Sequence, residues 1–376
     1  MLPKIVSFDS GNREILEIIL PGSGKGIDIS ASLKKTFDTA KRMNRSVAMF
    51  DYPFYNTELA WSPEKSRRED IETLVQVLHS CNAIEYQKIR LIGKSSGGIV
   101  AVEYLSELSG IEQKKYDLVI LGFVVGEIDL RNVYSDLTII QGSGDTYGSI
   151  DEIKEEVKKS KSMKVKLHEI GRSTHNFKDV LTGEPTPYDL ALDLIFQKKE
   201  SEVGTMCGRE DIGIVPVFQK FDYDCGGAAV NNLLTMIGKE DVAKNNLYVR
   251  MDVNPEDGTK SQNIKKLLNE EGISYIETNG ADLEDLEMRL RKNKVCLVCY
   301  QAWGTEEEMN NLDSGHYSVV YKIDEIFVWV LDPTIESEEV PGDGKGIVRY
   351  KKDDFEKRWN DKGSAGELYN HWMLAV

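Results

Sequence analysis

Along the first 200 residues, short strand-like runs alternate with longer stretches whose apolar residues recur every three or four positions. The runs at 15–20, 46–50, 88–92, 118–122, 137–141 and 164–169 predict strands, and the stretches at 32–43, 66–83, 97–108, 150–159 and 188–199 predict helices. Strands that are apolar throughout, separated by amphipathic helices, predict a largely parallel sheet covered on both faces. The opening, MLPKIVSFDSGNREILEIILPGSG, alternates like paired strands and lacks the basic-then-apolar plan of a secretion signal. No apolar run approaches the ~18 residues of a membrane span. The expectation is a cytoplasmic protein with no membrane partner.

Beyond the polar stretch KKESEVGTMCGREDIG the pattern changes. Residues 201–211 read as a linker between a domain at 1–200 and a domain at 212–376. A helix follows Cys225, with Val230, Leu233, Leu234 and Ile237 on one face, and a second is predicted at 261–271. Strands then dominate, at 295–300, 316–322, 326–332, 346–351 and 369–374, while the acidic TEEEMNNLDSG at 305–315 reads as a loop. Helices first and a mostly antiparallel sheet afterwards is an α+β plan. The fold class is therefore α/β followed by α+β, with no internal repeat.

Composition adds little to this and charge adds more. At 376 residues, 40% hydrophobic and 29% charged, the chain suits two globular domains. Its net charge of −16 divides into −3 over residues 1–200 and −13 over 201–376. That argues against nucleic acid as a partner and leaves room for a basic peptide in the second half. Five cysteines in a long chain do not form a disulfide framework. Cys296 and Cys299 have metal-ligand spacing, but in a strand their side chains point to opposite faces, which predicts core residues. No metal and no organic cofactor is expected.

Gly93-Lys94-Ser95-Ser96-Gly97 fits the G-x-S-x-G turn, with a predicted strand before it and a helix after it. In that setting the glycines allow a sharp turn that lifts the serine hydroxyl out of the sheet. Loops beyond later strands offer Asp145 in GSGDTYG and His175 in THNF, in the order acid then base. Asp145 would orient His175, and His175 would take the proton of Ser95. Asp129 is the alternative acid, and His79 or His168 the alternative base. Both histidines fall inside predicted elements rather than loops. LPGSGKGIDIS, at 20–30, fails as a phosphate-binding loop because Ile19 stands where a glycine is needed and Gly26 follows the lysine. Its amides near Ser23 and Gly24, with that of Ser96, are candidates for an oxyanion hole.

A second nucleophile is carried by QKFDYDCGGAAVNNLL, at 219–234. Cys225 stands at a helix N-terminus, where unpaired amides favour a thiolate. Gln219, six residues earlier, is a candidate oxyanion donor. His316 opens one predicted strand and Asp332 ends the next, so a tight antiparallel turn would bring them together. His316 would then activate Cys225 while Asp332 fixes the imidazole.

On the strength of FDYPFY at 50–55, the GKSSGG turn, GSGDTYG and THNF, residues 1–199 resemble the α/β-hydrolases, closest to the lid-poor branch related to dienelactone hydrolases. That resemblance implies hydrolysis of an ester, thioester or amide through an acyl-serine. Residues 212–376 resemble the papain-like C39 cysteine peptidases, which cut leader peptides after paired small residues. The matching segments are VPVFQKFDYDCGGAAVNNLL, GHYSVVYKI, VWVLDPT and DDFEKRW. It implies Gln219 as oxyanion residue, Cys225 as nucleophile, His316 as base and Asp332 as orienting acid. The transporter and nucleotide-binding segments of export-linked members are absent from this sequence, which argues against leader-coupled export. The expectation is a bifunctional acyl-enzyme hydrolase acting on a peptide or an acylated small molecule or protein. Transpeptidation, cyclisation or acyl transfer to an amine remains open, as does a partly inactive binding module.

Overall fold

A computed structural model describes residues 3–23, 26–28, 30–53, 63–196, 207–210, 212–292, 294–312, 314–334, 346–363 and 366–376, with only the backbone of 63–66 and 306. The chain divides into two compact units, Met1–Lys199 and Glu200–Val376.

The first unit runs β1 (Ile5–Phe8), β2 (Ile15–Leu20), α1 (Ala31–Arg42), β3 (Ser46–Phe50), α2 (Pro63–Ser80), β4 (Lys88–Lys94), α3 (Ser96–Ser106), β5 (Tyr116–Leu121), β6 (Asp136–Gly142), α4 (Ile150–Val157), β7 (Val165–Ile170) and α5 (Thr186–Ile195). Its strand order is β1-β3-β2-β4-β5-β6-β7. Every neighbour from β3 to β7 is parallel, and β1 lies antiparallel on β3 at the edge. β1 and β2 therefore flank β3 rather than pair with each other. All five residues of β3 are buried, as an apolar strand covered on both faces requires. Leu74, Val77, Ile99, Val100, Ile150 and Ile153 carry α2, α3 and α4 into one core with the strands. α1 and α5 are joined by the Thr36 and Tyr188 hydroxyls, 2.6 Å apart.

The second unit contains β8 (Cys207–Gly208), α6 (Cys225–Met236), α7 (Glu240–Lys244), α8 (Leu247–Arg250), α9 (Ser261–Glu270), β9 (Ile276–Asn279), α10 (Leu283–Arg291), β10 (Cys296–Gln301), α11 (Glu306–Asn311), β11 (Gly315–Ile323), β12 (Phe327–Leu331), β13 (Ile347–Lys351), α12 (Lys352–Arg358), β14 (Asn360–Lys362), β15 (Leu368–Asn370) and β16 (Met373–Ala375). The main sheet is antiparallel in the order β9-β16-β10-β11-β12-β13, and β14 pairs with β15. Within the stretch read as a linker, Cys207–Gly208 pair with β11, while 201–206 and 211 lie outside the described residues.

Two readings of local structure change. The expected loop at 305–315 contains α11, started by a Thr305–Glu308 capping box. The single strand expected at 369–374 is two, broken at His371, whose φ is 45°. There the imidazole stacks on Trp359 with centroids 5.2 Å apart, and Trp359 Nε1 donates to Trp372 O at 2.8 Å. Cys296 and Cys299 are both fully buried and belong to cores on opposite faces of the sheet.

α6 is fixed before any chemistry is considered. A Cβ on Gly226 would lie 2.5 Å from Thr259 Cβ, and one on Gly227 2.7 Å from Tyr248 Cε1, so the helix start fits only as Gly-Gly. Further along, the buried Asn232 amide accepts from Val217 N at 2.8 Å and donates to Val217 O at 2.9 Å. Asn232→Ala leaves both groups unpaired, and the expected cost is about 1–3 kcal/mol. Urea unfolding followed by tryptophan fluorescence checks this, and an unchanged midpoint refutes it.

Candidate functional site

In the first unit, β4 ends at Lys94 and α3 begins at Ser96, leaving Ser95 alone in the turn with φ 52° and ψ −118°. A side chain held in such a region costs about 1–3 kcal/mol and persists only where its surroundings enforce it. The glycines on either side show what enforces it. A Cβ on Gly93 would lie 2.6 Å from Gly97 O, and one on Gly97 2.4 Å from Leu20 O. Ser95 N donates to Leu121 O at 2.9 Å, tying the turn to the end of β5.

Asp145 and His175 come together at the ends of β6 and β7. His175 Nδ1 lies 2.7 Å from Asp145 Oδ2, and the other carboxyl oxygen accepts from Tyr147 N at 2.9 Å. The imidazole lies against Gly122, with Cε1 2.9 Å from where a Cβ would stand. It thus sits one residue beyond the carbonyl that holds Ser95. Among the described residues no hydrogen bond joins Ser95 Oγ to His175. Of the alternatives, Asp129 is exposed and paired with Arg131, His168 is buried within β7 and His79 lies on α2.

Of the candidate oxyanion donors, Ser96 opens α3, whose first amides have no partner within the helix. Gly22 lies beside Ser95, with its Cβ position 3.5 Å from Ser95 Cβ. Ser23 follows it and is exposed, and Gly24 is outside the described residues. Lys94 Nζ donates to Asn176 Oδ1 at 2.9 Å. Desolvation lowers this lysine to about 8 against the pull of Asp145.

In the second unit, Cys225 is the first residue of α6 and is partly buried. His316 and Asp332 are each 2% exposed or less, and His316 Nε2 lies 3.0 Å from Asp332 Oδ1. Burial disfavours the imidazolium, but hydrogen bonds to Asp332 and Cys225 outweigh it and raise His316 to about 9. Burial likewise opposes the Asp332 carboxylate. The bonds from His316 and Thr334 prevail and lower it to about 2. With Nε2 held by the acid, Nδ1 is the nitrogen left for the thiol.

Gln219 is tied to the acid's loop, its N donating to Pro333 O at 2.9 Å. Its Nε2 donates to Phe221 O at 3.0 Å and retains a second hydrogen. The buried Asp224 carboxylate accepts from the amides of Lys220 and Phe221, which fixes this loop at the head of α6. Sequence reading missed the groups that hold the acid. Tyr300 OH donates to Asp332 Oδ2 at 2.9 Å, and Thr334 N and Oγ1 donate to Oδ1 at 2.8 and 2.6 Å. The DPT triplet carried a signal for Thr334, since a threonine two residues after an aspartate is a frequent turn partner. Tyr300 carried none, because only strand register sets it opposite His316. Trp303 lies tilted against His316, with centroids 4.8 Å apart and planes at 54°.

Cys299 Sγ donates to the buried Asp361 Oδ2 at 2.6 Å, and burial pushes its thiol well up. Among the described residues, no group of three or more His, Cys, Asp and Glu side chains could hold a metal ion, and no helix is long and apolar enough to cross a membrane.

The model of the Peptidase C39 family matches residues 214–363. The N-terminal half is similar to solved α/β-hydrolase structures. A putative α/β hydrolase of unknown function from Agrobacterium tumefaciens is 12% identical over 51% of this chain and 89% of that one, with a TM-score of 0.40. An α-β serine hydrolase homologue from Coxiella burnetii is 16% identical over 51% and 88%, with a TM-score of 0.39. A lid-less α/β serine hydrolase from Xanthomonas campestris is 13% identical over 51% and 92%, again with a TM-score of 0.39. No curated protein matches the chain.

The His316–Asp332 pair predicts a pH dependence. A histidine raised from 6.5 to about 9 adds stability that is complete below pH 6.5 and lost as pH rises through 9. An aspartate lowered from 3.8 to about 2 adds stability that is complete above pH 3.8 and lost as pH falls through 2. The stability gap between the protein and its His316→Gln variant is therefore expected to be widest between pH 3.8 and 6.5 and to close toward pH 9. Melting curves across that range decide it, and a gap that widens above pH 7 refutes it.

Proposed function

We propose that the chain is a hydrolase with two acyl-enzyme sites. Ser95, His175 and Asp145 act on an ester, thioester or amide, and Cys225, His316 and Asp332 act on a peptide bond. The observation that carries the reading is the buried His316–Asp332 hydrogen bond of 3.0 Å, with Cys225, the first residue of α6, among the groups that raise His316. Support for the first unit is the Ser95 turn beside the Asp145–His175 hydrogen bond.

The cysteine site runs in two halves. Cys225 Sγ bonds to the carbonyl carbon, the carbon–nitrogen bond breaks, and the proton held by His316 goes to the departing amine. Water then adds to the thioester, gives a proton to His316 and releases the acid, the carbon–sulfur bond breaking to return the Cys225 thiolate. Gln219 Nε2 and the Cys225 amide are the proposed donors to the oxyanion. At the serine site Ser95 Oγ attacks, His175 shuttles the proton, and the Ser96 amide with those of the 22–24 loop are the proposed oxyanion donors.

Fluorophosphonate and low-dose iodoacetamide, applied separately to the full chain, test both sites at once. Peptide mass spectrometry is expected to find the adducts on Ser95 and Cys225, and Ser95→Ala and Cys225→Ala to abolish each one. His175→Ala is expected to slow Ser95 labelling by about 100-fold, the scale of a lost general base. Labelling of other serines at equal rate would discard the first site, and alkylation of Cys81 ahead of Cys225 the second.

A further inference from the structure

We infer that Tyr147 walls the leaving-group side of the Ser95 site and selects substrates whose leaving group is flat and apolar; the inference rests on the Ser95 chemistry proposed above. Tyr147 follows Asp145 by two residues in the loop after β6. It is 56% exposed, yet its ring lies on the His175 imidazole, with centroids 4.5 Å apart and planes at 46°. The backbone beneath it is pinned on both sides. Tyr147 N donates to Asp145 Oδ1 at 2.9 Å, and Val125 N donates to Tyr147 O at 2.9 Å. The next carbonyl, of Gly148, accepts from Gln141 Nε2 at 2.8 Å, and Gln141 is fully buried at the end of β6. The backbone that carries this water-exposed ring is thus held in place, in part by the buried Gln141.

Its position assigns its side of the reaction. Asp145 occupies His175 Nδ1, so Nε2 is the nitrogen that takes the Ser95 proton. The bond from Ser95 Oγ to the acyl carbon forms, the bond from that carbon to the leaving oxygen breaks, and Nε2 passes the proton to that oxygen. A ring lying tilted against this imidazole borders the volume the leaving group fills. The oxyanion faces instead the proposed donors at Ser96 and Gly22. A flat apolar leaving group gains an aromatic contact on Tyr147 that a small one cannot make.

The test uses the full chain and two esters of one acid, benzyl butyrate and methyl butyrate, whose alcohols differ little in acidity. The ratio of their kcat/KM values is expected to favour benzyl by about three- to tenfold, with most of the difference in KM. Tyr147→Ala is expected to bring the ratio close to one, and Tyr147→Phe to keep it. Tyr147→Leu, apolar but not flat, guards against a folding defect in the alanine variant, and its ratio falls below that of Tyr147→Phe. Turnover of both esters without preference, or a ratio unchanged in Tyr147→Leu, overturns this inference alone. Absence of turnover with either ester, together with no labelling of Ser95, overturns the Ser95 reading and this one with it.

Discussion

A carboxylate withdrawn from water has to be met by donors or it takes up a proton. Asp332, 2% exposed, is met by four: His316 Nε2, Tyr300 OH, and the amide and hydroxyl of Thr334. They come from β11, from β10 and from the turn after β12. Two hairpin registers, Tyr300 opposite His316 and Val319 opposite Leu331, have to be right together before the charge is satisfied. A slip of one residue would turn every side chain of the strand to the other face. The acid therefore reports on the sheet as much as it orients the imidazole, and the α6 start, fitted through Gly226 and Gly227, is brought to a partner already fixed.

The first unit solves the same electrostatic problem with fewer donors and more backbone. Asp145 accepts from His175 and from the amide of Tyr147. Its neighbours stand in loops at the ends of parallel strands, where an open α/β sheet gathers its chemistry. Rigidity there comes from strain and close approach: Ser95 at positive φ and Gly97 pressed on the end of β2. One unit positions an imidazole by register, the other by turn geometry.

That difference governs what the sequence made legible. β2 is apolar but for Glu17 and β3 but for Ser46, and the GKSSGG turn and the Cys-Gly-Gly helix start are local patterns, so all four can be read from adjacent residues. α10 was not read, although Asp282 and Asp285 form a capping box at its start, because its apolar positions are sparse among charges. The break at His371 depends on a ring stacked on Trp359, and nothing nearby announces it. The holders of the site residues, Tyr300, Gln141 and Asn232, were invisible for a common reason. Tyr300 and Gln141 act across a distance that strand order sets, Asn232 across the packing of α6 on the loop before it, and an isolated tyrosine or amide carries no mark of its partner. The composition of the 305–315 stretch misled in the other direction: acidic and polar residues suggested a loop, while Thr305 and Glu308 were sufficient to start a helix.

The strand order of the second unit has a consequence for synthesis. β16, residues 373–375, lies between β9 and β10, and Trp372 beside it and Met373 within it are buried. An inner place in this sheet is thus filled by residues that leave the ribosome after every other strand of it. Until they do, β9 and β10 face each other across an unfilled gap with open edges, the condition under which strands pair with the wrong chain. In the first unit each added parallel strand extends a growing edge from β4 through β7, so its sheet can be complete while the second unit is still being made.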